Sequence, residues 1–142
     1  MNENIELLKF IYQNSQMGIE TISQLIDIAE GKEFVEQLQS QLKEYKNINE
    51  KSEKLLEENN CDEEGISTFE KIRTYLMINM QTVTDKSPSH IAEMLIIGSN
   101  MGVLDATKNL KKYKEADDKI INLMEKLLKI EEDNIQKLKD FL

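Results

Sequence analysis

Thr84-Asp85-Lys86-Ser87-Pro88 decides how this chain folds. It holds the single proline among 142 residues and interrupts a nearly continuous series of helical patterns. Ser87 suits an N-cap, because its hydroxyl can accept from an orphan amide of the first turn. Pro88 suits the first helical position, where its missing N–H costs nothing. A helix therefore begins at Pro88 and runs to Tyr113, with Ala92, Leu95, Ile96, Ser99, Gly102, Val103, Ala106 and Leu110 on one face.

On the C-terminal side, Asp117 is placed to cap a last helix that presents Ile121, Met124, Leu128, Ile135, Leu138 and Leu142. On the N-terminal side, residues 64–83 read as a shorter helix with Phe69, Ile72, Leu76, Met80 and Val83 on one face. Asn59-Asn60-Cys61-Asp62 separates it from a long helix over residues 32–59, whose stripe is Val35, Leu38, Leu42, Tyr45, Ile48 and Leu56. Gly31 reads as the C-terminal cap of a first helix over residues 4–30, with Leu8, Ile11, Ile22, Leu25, Ile26 and Ala29 facing inward. Each long helix measures roughly 40 Å at about 1.5 Å per residue. Short connections make neighbours antiparallel, so the order is up, down, short helix up, down, up. The expected fold is all-α, one domain over residues 1–142: an antiparallel four-helix bundle with an additional short crossover helix between the second and third long helices.

Composition removes many functions. With 5 Gly and 1 Pro, the chain lacks the turns that a sandwich or barrel of short strands needs. One Cys and one His exclude an internal disulfide and a zinc cluster within one chain. The net charge of −9, with Arg73 the single arginine, repels phosphate and argues against nucleic acid. No apolar run approaches the roughly 18 residues of a membrane span. The acidic, polar start, Met1-Asn2-Glu3-Asn4-Ile5-Glu6, is unlike a signal peptide. Together with the lone Cys, this makes a cytoplasmic protein the expectation. The Lys, Ile and Asn bias points to an AT-rich bacterial genome.

An internal repeat is legible. Ser15-Gln16-Met17-Gly18-Ile19 matches Ser99-Asn100-Met101-Gly102-Val103, 84 positions on. The second and last long helices superpose at an offset of 86, which sets Tyr45 against Glu131. Two related hairpins joined by a full-length crossover resemble the ferritin-like superfamily across essentially the whole chain. Ser87-Pro88-Ser89-His90-Ile91-Ala92-Glu93-Met94-Leu95-Ile96 with Gly98-Ser99-Asn100-Met101-Gly102 also resembles an uncharacterised family of small proteins from clostridia and their relatives.

The superfamily resemblance implies a metal site of six ligands: a Glu from each of two helices and a Glu-x-x-His from each of the other two. Here Glu131 sits near the middle of its apolar arc with Asn134 at the edge, giving Glu-x-x-Asn. The matching positions elsewhere are Tyr45 and Ile48, Ser15 and Gly18, Ser99 and Gly102. Glu20 and Glu93 project more than about 100° from their core stripes. The ligand set is therefore depleted, and no cofactor is expected. Glu131 reads as a buried carboxylate bonded to Tyr45, Ser15, Ser99 or Asn134, since an unpaired buried charge costs several kcal/mol. The sharper alternative is an atypical metal centre using Glu131, Glu20 and Glu93.

Ser15/Gly18 and Ser99/Gly102 invite close approach of the first helix and the one beginning at Pro88, or a small cavity also lined by Tyr45 and Glu131. That later helix carries a second apolar stripe, His90, Met94, Ile97, Met101 and Leu104, which suggests a homodimer interface. The functional expectation is a non-catalytic scaffold that dimerises and binds a protein partner or a small ligand. The rivals are an iron or manganese oxidoreductase and an acid/base enzyme built on Tyr45 and Glu131.

Overall fold

The computed structural model describes residues 2–61 and 83–142. Within them the protein is all-helical, with four α-helices and no strand: α1 (Glu3–Ile28), α2 (Lys32–Glu58), α3 (Pro88–Lys112) and α4 (Asp118–Leu138). A 3₁₀ turn, Lys139–Phe141, closes the chain. No helix among the described residues is long and apolar enough to cross a membrane. The expected short helix over residues 64–83 lies almost wholly outside the described residues.

The helix ends follow from local chemistry. Asn2 caps α1, its Oδ1 accepting from the amides of Asn4 at 3.0 Å and Ile5 at 3.4 Å. Ser87 caps α3 by accepting from the His90 amide at 3.3 Å, with Pro88 in the first turn. Two caps differ from the sequence expectation. Helix α1 ends at Ile28 with Ala29 as its cap, and Gly31 instead enters α2 with φ of +91°, a conformation that favours glycine. Asp117 stands at the N-cap of α4 without capping its amides. Its carboxylate accepts from Asn4 Nδ2 at 3.1 Å, and its own amide donates to Asn4 Oδ1 at 2.8 Å. The reciprocal pair ties the start of α1 to the α3–α4 turn.

Helices α1 and α2 pack as one hairpin, α3 and α4 as another. The relative direction of the hairpins follows from contacts at their ends. Gly31, between α1 and α2, lies beside Pro88 at the start of α3: a Cβ built there would sit 3.8 Å from the proline Cγ. At the other end Asn4 meets Asp117, and Glu58 comes within 4.0 Å of Lys119. Cys61 after α2 and Val83 before α3 therefore lie at opposite ends of the molecule.

The core is a continuous cluster that includes Leu7, Ile11, Leu25, Phe34, Leu38, Ile91, Met124 and Leu127. Phe34 also packs on Phe141, with ring centroids 5.0 Å apart. Several expected inward positions are displaced by one residue. Phe34 is buried where Val35 was expected, and Ile120 and Leu127 where Ile121 and Leu128 were, these three being half-buried. One residue turns a helix by about 100°, so a neighbour at the edge of a broad arc takes the centre once the packing angle is set. Leu142 is 61% exposed, because the chain leaves the helical register in the final turn.

Gly98 lies mid-helix in α3, and a Cβ there would meet nothing within 4 Å. Gly98→Ala should raise stability by about 0.5–1 kcal/mol, the cost of glycine in a helix interior. A urea midpoint shifted upward at unchanged slope checks this; a lowered midpoint refutes it.

Candidate functional site

The buried face of α2 carries a polar seam at helical spacing: Gln41, Tyr45, Asn49 and Ser52, all buried. Glu131 on α4 is 3% exposed, and the Tyr45 hydroxyl donates to its Oε1 at 2.5 Å. That length is typical of an O–H donor on a carboxylate, about twice as strong as a neutral pair. The two residues are 86 apart, the offset that superposes the second and last helices in the repeat. Equivalent positions of the two hairpins thus meet and bond to each other.

Both glycines of the repeat serve this pair. A Cβ on Gly18 would fall 2.7 Å from Tyr45 Cγ and 2.8 Å from both Cδ atoms. The absence of a side chain there lets the tyrosine ring lie against α1. A Cβ on Gly102 would sit 3.5 Å from Glu131 Cδ and Oε2, and 3.3 Å from Asn14 Nδ2. The two helices do approach each other, and the glycines also make room for side chains of the other two helices. Gly18 accommodates a ring from α2, and Gly102 a carboxyl from α4 and an amide from α1.

The remaining expected residues divide. Ser99 lies beside the pair, and its hydroxyl favours the charged carboxylate. Asn134, fully buried one turn beyond Glu131, adjoins the Tyr45 hydroxyl, yet neither of its amide atoms has a geometrically satisfactory hydrogen bond among the described residues. Ser15 belongs to a separate cluster. Its hydroxyl donates to the Ile11 carbonyl at 2.8 Å and accepts from Asn49 Nδ2 at 3.2 Å. Helical rotation carries it toward α2 and away from Glu131. Glu20 accepts from Gln16 of its own helix at 3.2 Å, and Glu93 is exposed. Among the described residues no three His, Cys, Asp or Glu side chains converge as a metal-holding group. The metal alternative of Glu131, Glu20 and Glu93 is therefore not assembled within one chain.

Above the pair opens a cavity of about 490 Å³ between α1 and α3, with Tyr45 and Glu131 contributing to its wall. That volume falls in the ordinary range for small-molecule sites. Most of the wall is apolar, from residues such as Met17, Ile22, Leu25, Met94 and Leu95. Gln41 also lines it; this residue is 2% exposed and its Nε2 has no hydrogen-bond partner among the described residues. No matching family model, curated protein or solved structure was found.

The electrostatics favour holding over proton transfer. Burial, followed by the adjacent Glu131 charge and hydrogen bond, pushes the Tyr45 hydroxyl well above its usual range. A general acid works best with its pKa near the operating pH, so this hydroxyl keeps its proton and acts as a fixed donor. Burial also raises the Glu131 carboxyl, while the bonds from Tyr45 and Ser99 oppose that rise. Gln41 and Asn49 are not singled out by the sequence pattern; each lies four residues from Tyr45 on the same face, which is the available signal.

On the outer side of α3, Ile97, Met101 and Leu104 are 57%, 63% and 55% exposed, with Met94 half-buried beside them.

Proposed function

We propose that this protein is a non-catalytic, ferritin-like helical bundle of the bacterial cytoplasm that binds a small organic ligand between its hairpins. One observation carries the reading: a hydrogen-bonded buried Tyr45–Glu131 pair forms part of an otherwise largely apolar cavity of about 490 Å³. A hydrogen-bonded polar group set in an apolar wall is the usual construction of a specific small-molecule site. The test is native mass spectrometry of protein purified without denaturation, paired with thermal unfolding after exhaustive dialysis. Bound ligand at a hundred times its dissociation constant adds about 2.7 kcal/mol. The expected result is a copurifying small molecule whose removal lowers the melting temperature. Stoichiometric iron or manganese, lost in Glu131→Ala, would overturn the reading in favour of a metal-dependent oxidoreductase.

The same proposal includes a homodimer formed through Met94, Ile97, Met101 and Leu104, since α3 leaves Ile97, Met101 and Leu104 exposed beside the cavity that Met94 and Ile97 also line. Sedimentation at micromolar concentration should give the mass of two chains, and Met101→Glu the mass of one. A wild-type mass of one chain refutes this element.

A further inference from the structure

We propose that the cavity takes an organic cation: a protonated amine carried on an apolar body that also bears a hydrogen-bond acceptor. The inference rests on the reading of this cavity as a ligand site and names what enters it.

Among the described residues, Glu131 is the sole acidic residue on the cavity wall, and none there is Lys, Arg or His. It is buried, and its hydrogen-bonding neighbours are neutral, the Tyr45 hydroxyl on Oε1 and the Ser99 hydroxyl beside it. A carboxylate so placed has hydrogen-bonding help but no counter-charge. An ammonium entering beside it would supply that charge together with donors for the carboxylate's remaining lone pairs. Gln41 makes the second, independent demand. Its buried Nε2 lines the same cavity without a partner among the described residues, and a carbonyl, hydroxyl or ether oxygen on the ligand would satisfy it. Both side chains lie on the cavity wall, so one molecule can answer both. The rest of the wall, with Met17 and Met94 as adaptable surfaces, suits a hydrocarbon or aromatic body. The net charge of −9 draws cations toward the molecule as a whole.

The groups facing Glu131 are Tyr45 from α2, Ser99 and Gly102 from α3, and Asn14 near Gly102 from α1, with Asn134 adjoining on α4. Tyr45 is the one titratable member and it holds its proton. Affinity for an amine should therefore rise with pH as Glu131 ionises, then level off.

The test uses the full chain and two probes of the same shape, 4-phenylbutylamine and 4-phenylbutanol, followed by ligand-observed NMR and calorimetry. The amine should bind at least about tenfold more tightly than the alcohol, as expected for a charged hydrogen bond. Glu131→Gln, which keeps the shape and the acceptor for Tyr45, should remove that preference, so that the two probes bind about equally. Circular dichroism verifies that the variant is folded. If the alcohol binds as well as the amine, or the preference survives Glu131→Gln, the cation assignment is overturned while the cavity remains a ligand site. If neither probe binds at millimolar concentration, both readings fall.

Discussion

Gly18→Ala should lower stability by about 2–4 kcal/mol, whereas the same change at Gly98 raises it. The two glycines share a residue type and a mid-helix setting, so helix propensity favours alanine by up to about 1 kcal/mol at both. Their surroundings differ. At Gly98 the new methyl group meets open space, and at Gly18 it would lie 2.7 Å from the root of the Tyr45 ring. The root of a ring cannot swing aside as the tip of a flexible chain can. It is fixed by the α2 backbone on one side and by the hydroxyl bond to Glu131 on the other. Relieving the clash means separating α1 from α2 or breaking that bond. Overpacking costs about 1–3 kcal/mol and a buried acceptor left unmet about as much again, which together exceed the propensity gain. Urea unfolding of both variants checks this. A Gly18→Ala protein as stable as Gly98→Ala would mean that the ring moves freely and that the glycine has no role at the site.

This contrast shows why part of the site was legible and part was not. The positions of the long helices follow from period, Pro88 and the short polar breaks. The internal repeat alone sets Ser15 against Ser99, Gly18 against Gly102 and Tyr45 against Glu131. Periodicity also put Glu131 near the middle of an apolar arc, and the structure makes it 3% exposed. What periodicity lacks is rotation about each helix axis to better than one residue, about 100°. That uncertainty left Glu131 with four candidate partners, hid Phe34 behind Val35, and sent Ser15 to Asn49 on α2. It also made Gly18 look like a contact point with α3, when the group it admits comes from α2. Polar residues such as Gln41 and Asn49 are ambiguous for a related reason. On a helix viewed alone, a Gln beside an apolar stripe looks solvated, and only the partner helix decides that it is buried.

Tyr45→Phe isolates the hydroxyl that this packing places. It removes one oxygen atom and leaves the ring against Gly18, so little repacking accompanies the loss. Near neutral pH the variant should be less stable by about 1–3 kcal/mol, because Glu131 stays buried while losing its donor. The cost should shrink in acid, where a protonated carboxyl needs that donor less. The wild-type profile has a defined sign. Burial raises the Glu131 carboxyl in the folded state above its ordinary value. Folding therefore favours the protonated form, and this group's contribution is complete below the ordinary carboxylate range and declines as pH rises through the folded-state value. Glu131→Gln abolishes that decline, so its stability relative to wild type should grow from about pH 4 toward neutrality. Tyr45→Phe removes a bond that favours the ionised form, raises the carboxyl further, and extends the decline to higher pH. Urea midpoints of the three proteins across that range separate the effects, because the other carboxylates contribute equally to each curve. Parallel curves for wild type and Glu131→Gln would show that Glu131 does not change its ionisation on folding. A Tyr45→Phe penalty independent of pH would show that the hydroxyl serves packing rather than the buried carboxylate.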